Sequence, residues 1–168
     1  KIEDPKAGGD VARYVPPATN NADSLYFQSF NRGKKSIAID LRKSDGVKIF
    51  HQLVEKSDAV FNNLRGDLPE KLGLTYETLR SLNSAIVTCS LSGFGRAGPR
   101  ASEPGYDPIM QAMAGYMSIT GEPEGPPGKA GVSIIDFAGG YAAALGLVAA
   151  LLEAKTTGVG RDVDVSLL

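Results

Sequence analysis

Apolar positions alternate with polar ones at Ile37, Ile39 and Leu41, which predicts a strand from Ser36. Ser44-Asp45 then opens a segment in which Val47, Phe50, Leu53 and Val54 recur at helical spacing, so the step is β followed by α. The same step repeats, with Ala59-Val60-Phe61 as a strand, a helix near Tyr76 to Leu82 opened by Thr75, and Ala85 to Leu91 as a third strand rich in β-branched residues. Two more helices are predicted at Pro108 to Met117 and at about Asp136 to Ala154. The segment Gly121 to Gly131 between them carries three prolines and cannot be regular. Strands alternating with helices predict an α/β fold with a parallel sheet flanked by helices. Residues 1–31 read mainly as loop, because Gly8-Gly9, Pro16-Pro17 and Asn20-Asn21 interrupt every apolar period. Residues 32–91 carry the β/α units, and residues 92–168 carry glycine-rich loops, helices and a final strand. Those loops begin at Ser92-Gly93-Phe94-Gly95, just after a strand, where parallel α/β sheets place their ligand loops.

Composition narrows the function classes. The 168 residues hold 18 basic and 19 acidic side chains, a net charge of −1, which offers no basic footprint for nucleic acid or an anionic membrane. Neither partner is expected. The longest apolar stretch, Tyr141 to Leu152, is broken by Gly146 and is short of the roughly 20 residues that a membrane helix needs. Cys89 and His51 stand alone in their residue types, which excludes an intrachain disulfide, leaves too few ligands for a Cys/His zinc site, and fits a reducing, cytoplasmic compartment. No metal is expected. The chain opens without Met and closes on apolar Val165 to Leu168, so it reads as a piece of something longer.

Few residues are candidates for chemistry. His51 lies on an amphipathic helix beside charged neighbours, so a Ser-His-Asp arrangement has no support. Cys89 sits between Val87 and Leu91, where a thiol packs as a small hydrophobe. No glycine cluster ends in Gly-Lys-Ser/Thr, and Gly93-Phe94-Gly95 lacks the third glycine of a dinucleotide fingerprint. Asp136 remains, between the apolar run Val132 to Ile135 and Phe137-Ala138-Gly139-Gly140. There it could be a plain helix N-cap. The same place suits a carboxylate nucleophile with room for a bulky substrate beside it. Tyr106 and Asp107 open the preceding helix and could converge on the same cleft.

The order of motifs resembles the family III coenzyme A transferases, the formyl-CoA transferase and carnitine CoA-transferase group that also contains the α-methylacyl-CoA racemases. Lys1-Ile2-Glu3-Asp4-Pro5 with Gly8-Gly9-Asp10 is similar to that family's opening segment, and Asn31 to Leu41 is similar to its Asn-x-x-Lys-Arg/Lys-Ser-Ile-x-Leu-Asp-Leu signature. Asp58 to Leu74, Ser90 to Gly95 with Gly98-Pro99, Pro104 to Asp107, Gly131 to Asp136 and Thr157-Gly158-x-Gly160 continue the series. The resemblance implies part of a Rossmann-like large domain and an interlocked homodimer, with no permanently bound cofactor and with coenzyme A or acyl-CoA as substrate. It implies that Asp136 is the nucleophile, passing through a mixed anhydride and an aspartyl-CoA thioester, and that Tyr106 and Asp107 flank it. For coenzyme A it implies contacts at Leu41, Arg42, Asn63, Leu64, Lys71 and Leu72. Two positions depart from the family: Asp4 stands where many relatives carry Arg, and Asn62 replaces a frequent Glu. The racemases read Gly-His-Asp where this chain reads Gly105-Tyr106-Asp107, which favours transferase over racemase or epimerase. A non-catalytic coenzyme A-binding or dimerisation module is the alternative from another class.

Overall fold

A computed structural model describes residues 1–17 and 23–168; the expected turn at Asn20-Asn21 lies outside the described residues. The chain divides into two units, Lys1–Leu53 and Val54–Leu168.

The first unit is more regular than its punctuation predicts. Strand β1 (Ile2–Glu3), helix α1 (Leu25–Asn31), strand β2 (Ile37–Ala38) and helix α2 (Ser44–Val54) follow in order, with two short 3-10 turns at Pro5–Ala7 and Val11–Tyr14. The organising group is Glu3, 6% exposed. Its carboxylate accepts from Arg13 Nε at 2.9 Å, Arg13 Nη2 at 2.7 Å, Ser36 Oγ at 2.6 Å and the Asp10 N–H at 2.8 Å. The Arg13 guanidinium foremost holds that carboxyl well below the usual range. One carboxylate thus ties four stretches of a segment that has little apolar pattern of its own. Strand β2 pairs in parallel with β1 over Ile2↔Ile37 and Glu3↔Ala38. The predicted alternation to Leu41 is cut short because Asp40 turns the chain, its Oδ1 accepting the Arg42 N–H at 3.1 Å.

In the second unit a parallel sheet runs in the order β3 (Ala59–Asn62), β4 (Val87–Ser92), β5 (Asp162–Ser166). Helices α3 (Leu68–Lys71) and α4 (Tyr76–Leu79) lie between β3 and β4 in sequence, and α5 (Asp107–Met113) and α6 (Ile134–Thr157) between β4 and β5. Register runs Ala59↔Val87 on one side of β4 and Thr88↔Asp162 on the other. Strand β4 begins at Val87 rather than Ala85, since the Ala85 N–H is taken by Asn83 Oδ1 at 3.1 Å in a turn. Helix α4 ends sooner than the pattern predicts, and α5 stops at Met113 ahead of Gly115 (φ +75°), leaving a 3-10 turn at Tyr116–Ile119.

Helix α6 is longer than predicted at both ends. It has 24 residues, 18 consecutive ones of which average a hydropathy of 1.8, so it is long and apolar enough by length and composition to cross a membrane, which corrects the expectation that no segment is. Its small residues explain the face it packs. Gly139, Ala143, Ala150 and Ala154 recur at helical spacing and are buried. Val87 of β4 packs with Ala150 and Ala154, and Cys89 Sγ lies 3.8 Å from the Ala143 carbonyl. A Cβ on Gly139 would meet Leu167 at 2.6 Å and Leu91 at 3.2 Å, so the backbone of α6 approaches the sheet as closely as it does only without one. Cys89 is a core residue as expected: it is fully buried, and burial pushes its thiol up. The opposite stripe of α6, Phe137, Tyr141, Leu145, Val148 and Leu152, is apolar and exposed.

Candidate active site

Helix α6 runs back along the sheet, so its N-terminus lies at the carboxyl edge, beside Leu91 at the end of β4 and Leu167 after β5. This is the edge at which parallel α/β folds bind ligands. Strand β4 gives way there to Gly93, which crosses the loop before α5. A Cβ on Gly105 would lie 2.4 Å from the Cα of Gly93, and one on Gly93 would lie 2.6 Å from the Cα of Gly105. Two backbones in contact fix where Tyr106 and Asp107 start α5.

Three of the expected residues meet at this edge. Asp136 is the third residue of α6, not its N-cap; Ser133 holds the N-cap position and makes no side-chain cap bond. The capping oxygen comes from another helix. Asp107 Oδ1 accepts the Ile135 N–H at 2.8 Å and the Asp136 N–H at 3.2 Å. That corrects the reading of Asp136 as a cap. The first-turn amides need an acceptor, and a carboxylate there is also favoured by the helix dipole. Asp107 is 2% exposed, while Tyr106, its neighbour, is 67% exposed and presents its ring to solvent. The Asp136 carboxylate is accessible and accepts no hydrogen bond from a described residue. Partial desolvation first, and the Asp107 charge second, push its carboxyl above the ordinary 3.8.

Sequence reasoning missed Gln111. Wholly buried on α5, it donates from Nε2 to Asp107 Oδ2 at 2.5 Å and accepts the Ala130 N–H on Oε1 at 2.9 Å. Its spacing of four from Asp107 on one helix face is the signal that could have found it.

Asn63, Leu64, Lys71 and Leu72, the expected coenzyme A contacts in this unit, follow β3 and run through α3. The turn is set by Asn62, whose Nδ2 donates to Ser90 Oγ at 3.0 Å while its Oδ1 accepts the Leu64 N–H at 3.3 Å. The unusual Asn62 therefore has a local structural role. Asn63 and Lys71 are exposed, and Leu64 and Leu72 are half-buried. Lys71 lines a cleft of about 590 Å³ together with Asp67, Glu70, Arg96, Asp162 and Asp164. Its ammonium is paired with Asp67 at 2.6 Å, and Arg65 meets the same carboxylate at 2.6 Å. Those two cations hold Asp67 well below the usual carboxylate range. The other two expected contacts belong to the first unit, where Leu41 is half-buried and Arg42 exposed. Arg42 pairs with Asp40 at 2.7 Å and with Asp4 at 2.9 Å. Among the described residues no group of three or more His, Cys, Asp or Glu side chains is placed to hold a metal ion.

Residues 1–168 match the family model described as CoA-transferase family III. The chain is 42% identical over 173 residues to a succinate–glutarate CoA-transferase of Agrobacterium fabrum, a match that covers 100% of this chain and 43% of that protein. It is 41% identical to an acetyl-CoA:oxalate CoA-transferase of Acetobacter aceti, over 99% of this chain and 43% of that one. Among solved structures, a CaiB/BaiF family protein from Brucella suis superposes with a TM-score of 0.90 at 36% identity, covering 99% of this chain and 45% of its own. The chain thus spans less than half the length of these relatives.

Proposed function

The chain belongs to CoA-transferase family III, and from that premise we propose that the whole protein moves coenzyme A from an acyl-CoA donor to a carboxylic acid acceptor, with Asp136 as the nucleophile. The observation that carries this reading is that Asp136 is not used as a cap: Asp107 satisfies the first amides of α6 and leaves the Asp136 carboxylate free at an accessible edge. A carboxylate that is partly desolvated is a better nucleophile than a fully hydrated one.

The steps balance without an added reagent. An Asp136 oxygen attacks the donor thioester carbonyl and expels coenzyme A thiolate, giving a mixed anhydride. The thiolate then attacks the Asp136 carbonyl and releases the donor acid as carboxylate, leaving an aspartyl-CoA thioester. The acceptor carboxylate attacks that thioester, again expelling thiolate, and the thiolate takes the acceptor acyl group from the new anhydride. Asp136 is regenerated. Backbone N–H groups of the glycine-rich edge around Gly93 and Gly95 supply candidate donors for each oxyanion.

The acceptor class we propose is a short dicarboxylate, on the strength of relatives named for succinate, glutarate and oxalate. Lys71 is the cation proposed for the coenzyme A phosphates in the second unit, with Asn63, Leu64 and Leu72 near it in the chain, and Arg42 with Leu41 is proposed in the first unit by itself. The same reading takes the whole protein as a cytoplasmic, interlocked homodimer without a resident cofactor. The exposed apolar stripe of α6 supports the presence of further protein over that face. Tyr106 supports transfer over racemisation, since it stands where the racemases carry the histidine that acts as a base at the α-carbon.

The test is intact mass and peptide mapping of the full-length parent after mixing with succinyl-CoA, acetyl-CoA and formyl-CoA, with Asp136→Ala alongside. A hydroxylamine-labile adduct of coenzyme A mass on Asp136, absent from the variant, is expected. α-Proton exchange in deuterated water without an adduct would instead establish the racemase, and coenzyme A binding with neither would establish a binding module.

A further inference from the structure

Gln111 is a neutral amide with no solvent exposure, and both ends of its side chain are committed. Burying an amide is costly unless its groups are paired, so a wholly buried glutamine marks a place where two hydrogen bonds are made together. Here the two bonds go to different segments. Nε2 meets Asp107 Oδ2 at 2.5 Å on its own helix, and Oε1 meets the Ala130 N–H at 2.9 Å on the loop that leads into α6. The other oxygen of Asp107 holds the amides of Ile135 and Asp136. The chain of contacts therefore runs from the Ala130 amide through Gln111 and Asp107 to the backbone of Asp136. With one oxygen pinned by Gln111, the Asp107 carboxylate is not free to rotate away from the α6 amides. With the Ala130 amide pinned, the loop entering α6 has a fixed height above the sheet edge.

We propose that Gln111 is a positioning residue for Asp136, acting through Asp107 and Ala130 to hold the start of α6, and that acyl transfer depends on it although it touches no substrate. The proposal rests on the reading of Asp136 as nucleophile. An interior amide that merely filled space would support folding and leave the reaction of the folded protein unchanged.

The full-length parent tests it with Gln111→Met, which keeps the volume and removes both hydrogen bonds, measured alone and in an Asp107→Ala background. The rate of adduct formation on Asp136 is expected to fall on the order of 100-fold, with the half-saturating acyl-CoA concentration unchanged. In the Asp107→Ala background the same substitution is expected to lower that rate by a clearly smaller factor than in the native background, because only the Ala130 bond is left to break. By hydrogen exchange, the amides of Ala130, Ile135 and Asp136 are expected to open faster while those of β4 keep their protection. A native adduct rate in Gln111→Met, additive losses in the double variant, or faster exchange spread equally through β4 would each overturn the proposal. If the unmutated protein forms no adduct with any donor, the transfer reading fails. In that case the three amides still decide, since unchanged exchange in Gln111→Met would refute the positioning role.

Discussion

Asp107 caps the helix that carries Asp136: one buried carboxylate oxygen accepts the backbone amides of Ile135 and Asp136, 28 and 29 residues further along the chain. Removing it leaves those amides and Gln111 Nε2 without an acceptor in a site that is 2% exposed. A lost cap costs about 1 kcal/mol and a stranded buried donor about 1–3 kcal/mol. Asp107→Ala is therefore expected to destabilise the protein by about 2–4 kcal/mol, read from the urea midpoint. Asp107→Asn retains the oxygen that faces α6 but sets its own N–H₂ against that of Gln111. It is expected to fall between the two.

The same pair sets a pH dependence. Burial and the Asp107 charge raise the folded-state pKa of Asp136 above the ordinary 3.8, so the native protein binds the proton more tightly than the unfolded chain. The stabilising contribution is complete below the unfolded value and is lost as pH rises through the folded one. Ionised Asp136 thus costs stability at neutral pH. Asp136→Asn is expected to melt at higher temperature than the native protein at neutral pH, with the gap closing in acid. The acid limb of adduct formation should lie above the ordinary value and move down in Asp107→Asn, which removes the second of the two causes.

The β/α order and the sheet edge at which Tyr106, Asp107 and Asp136 gather are legible in the sequence, because both rest on local signals: alternation in strands, helical spacing in α2, and glycines after β4. Residues 1–31 read as loop, since their order comes from one carboxylate, Glu3, bonded to Arg13, Ser36 and Asp10, and such long-range polar ties leave no period in the chain. The start of α6 was misplaced for a related reason. A local rule assigns the cap to the nearest Asp, whereas the acceptor is supplied by Asp107 from α5. Helix α6 runs past the expected Ala154 to Thr157, where Gly158 at φ +73° stops it, and the glycines within its bounds do not interrupt it. Here Gly139 is where the helix backbone meets Leu91 and Leu167, and its fit to the sheet outweighs its propensity.

The backbone crossing of Gly93 and Gly105 yields a prediction about placement. A Cβ at Gly105 would sit 2.4 Å from Gly93 Cα and 2.8 Å from Met110 Cε, so the loop bearing Tyr106 and Asp107 has to move. Overpacking of this kind costs about 1–3 kcal/mol, and a displacement near 1 Å at a reacting centre costs on the order of 100-fold in rate. Gly105→Ala is expected to show both, with kcat/KM measured per folded molecule. Gly140→Ala is the control: nothing lies within 4 Å of the added Cβ, and the helix gains about 0.8–1 kcal/mol.

Both cations proposed for the coenzyme A phosphates are occupied by carboxylates, Arg42 by Asp4 and Asp40, and Lys71 by Asp67. A phosphate has to displace or share these pairs, which are exposed and individually weak. The sign of each substitution follows. Lys71→Ala removes one charge-assisted contact of about 1.5 kcal/mol, and calorimetric titration of the full-length parent with coenzyme A is expected to show affinity lowered about tenfold. Asp4→Asn leaves Arg42 in place and frees it of one competitor, so affinity is expected to rise a few-fold, by less than about 1 kcal/mol. Asp40, 9% exposed at its side chain, also shapes the turn through the Arg42 amide, so it is the wrong residue to test for competition. Should Lys71→Ala bind as tightly as the native protein, the phosphates are held elsewhere and the assignment of this contact fails. Should Asp4→Asn bind more weakly, Asp4 orients Arg42 toward the ligand instead of opposing it.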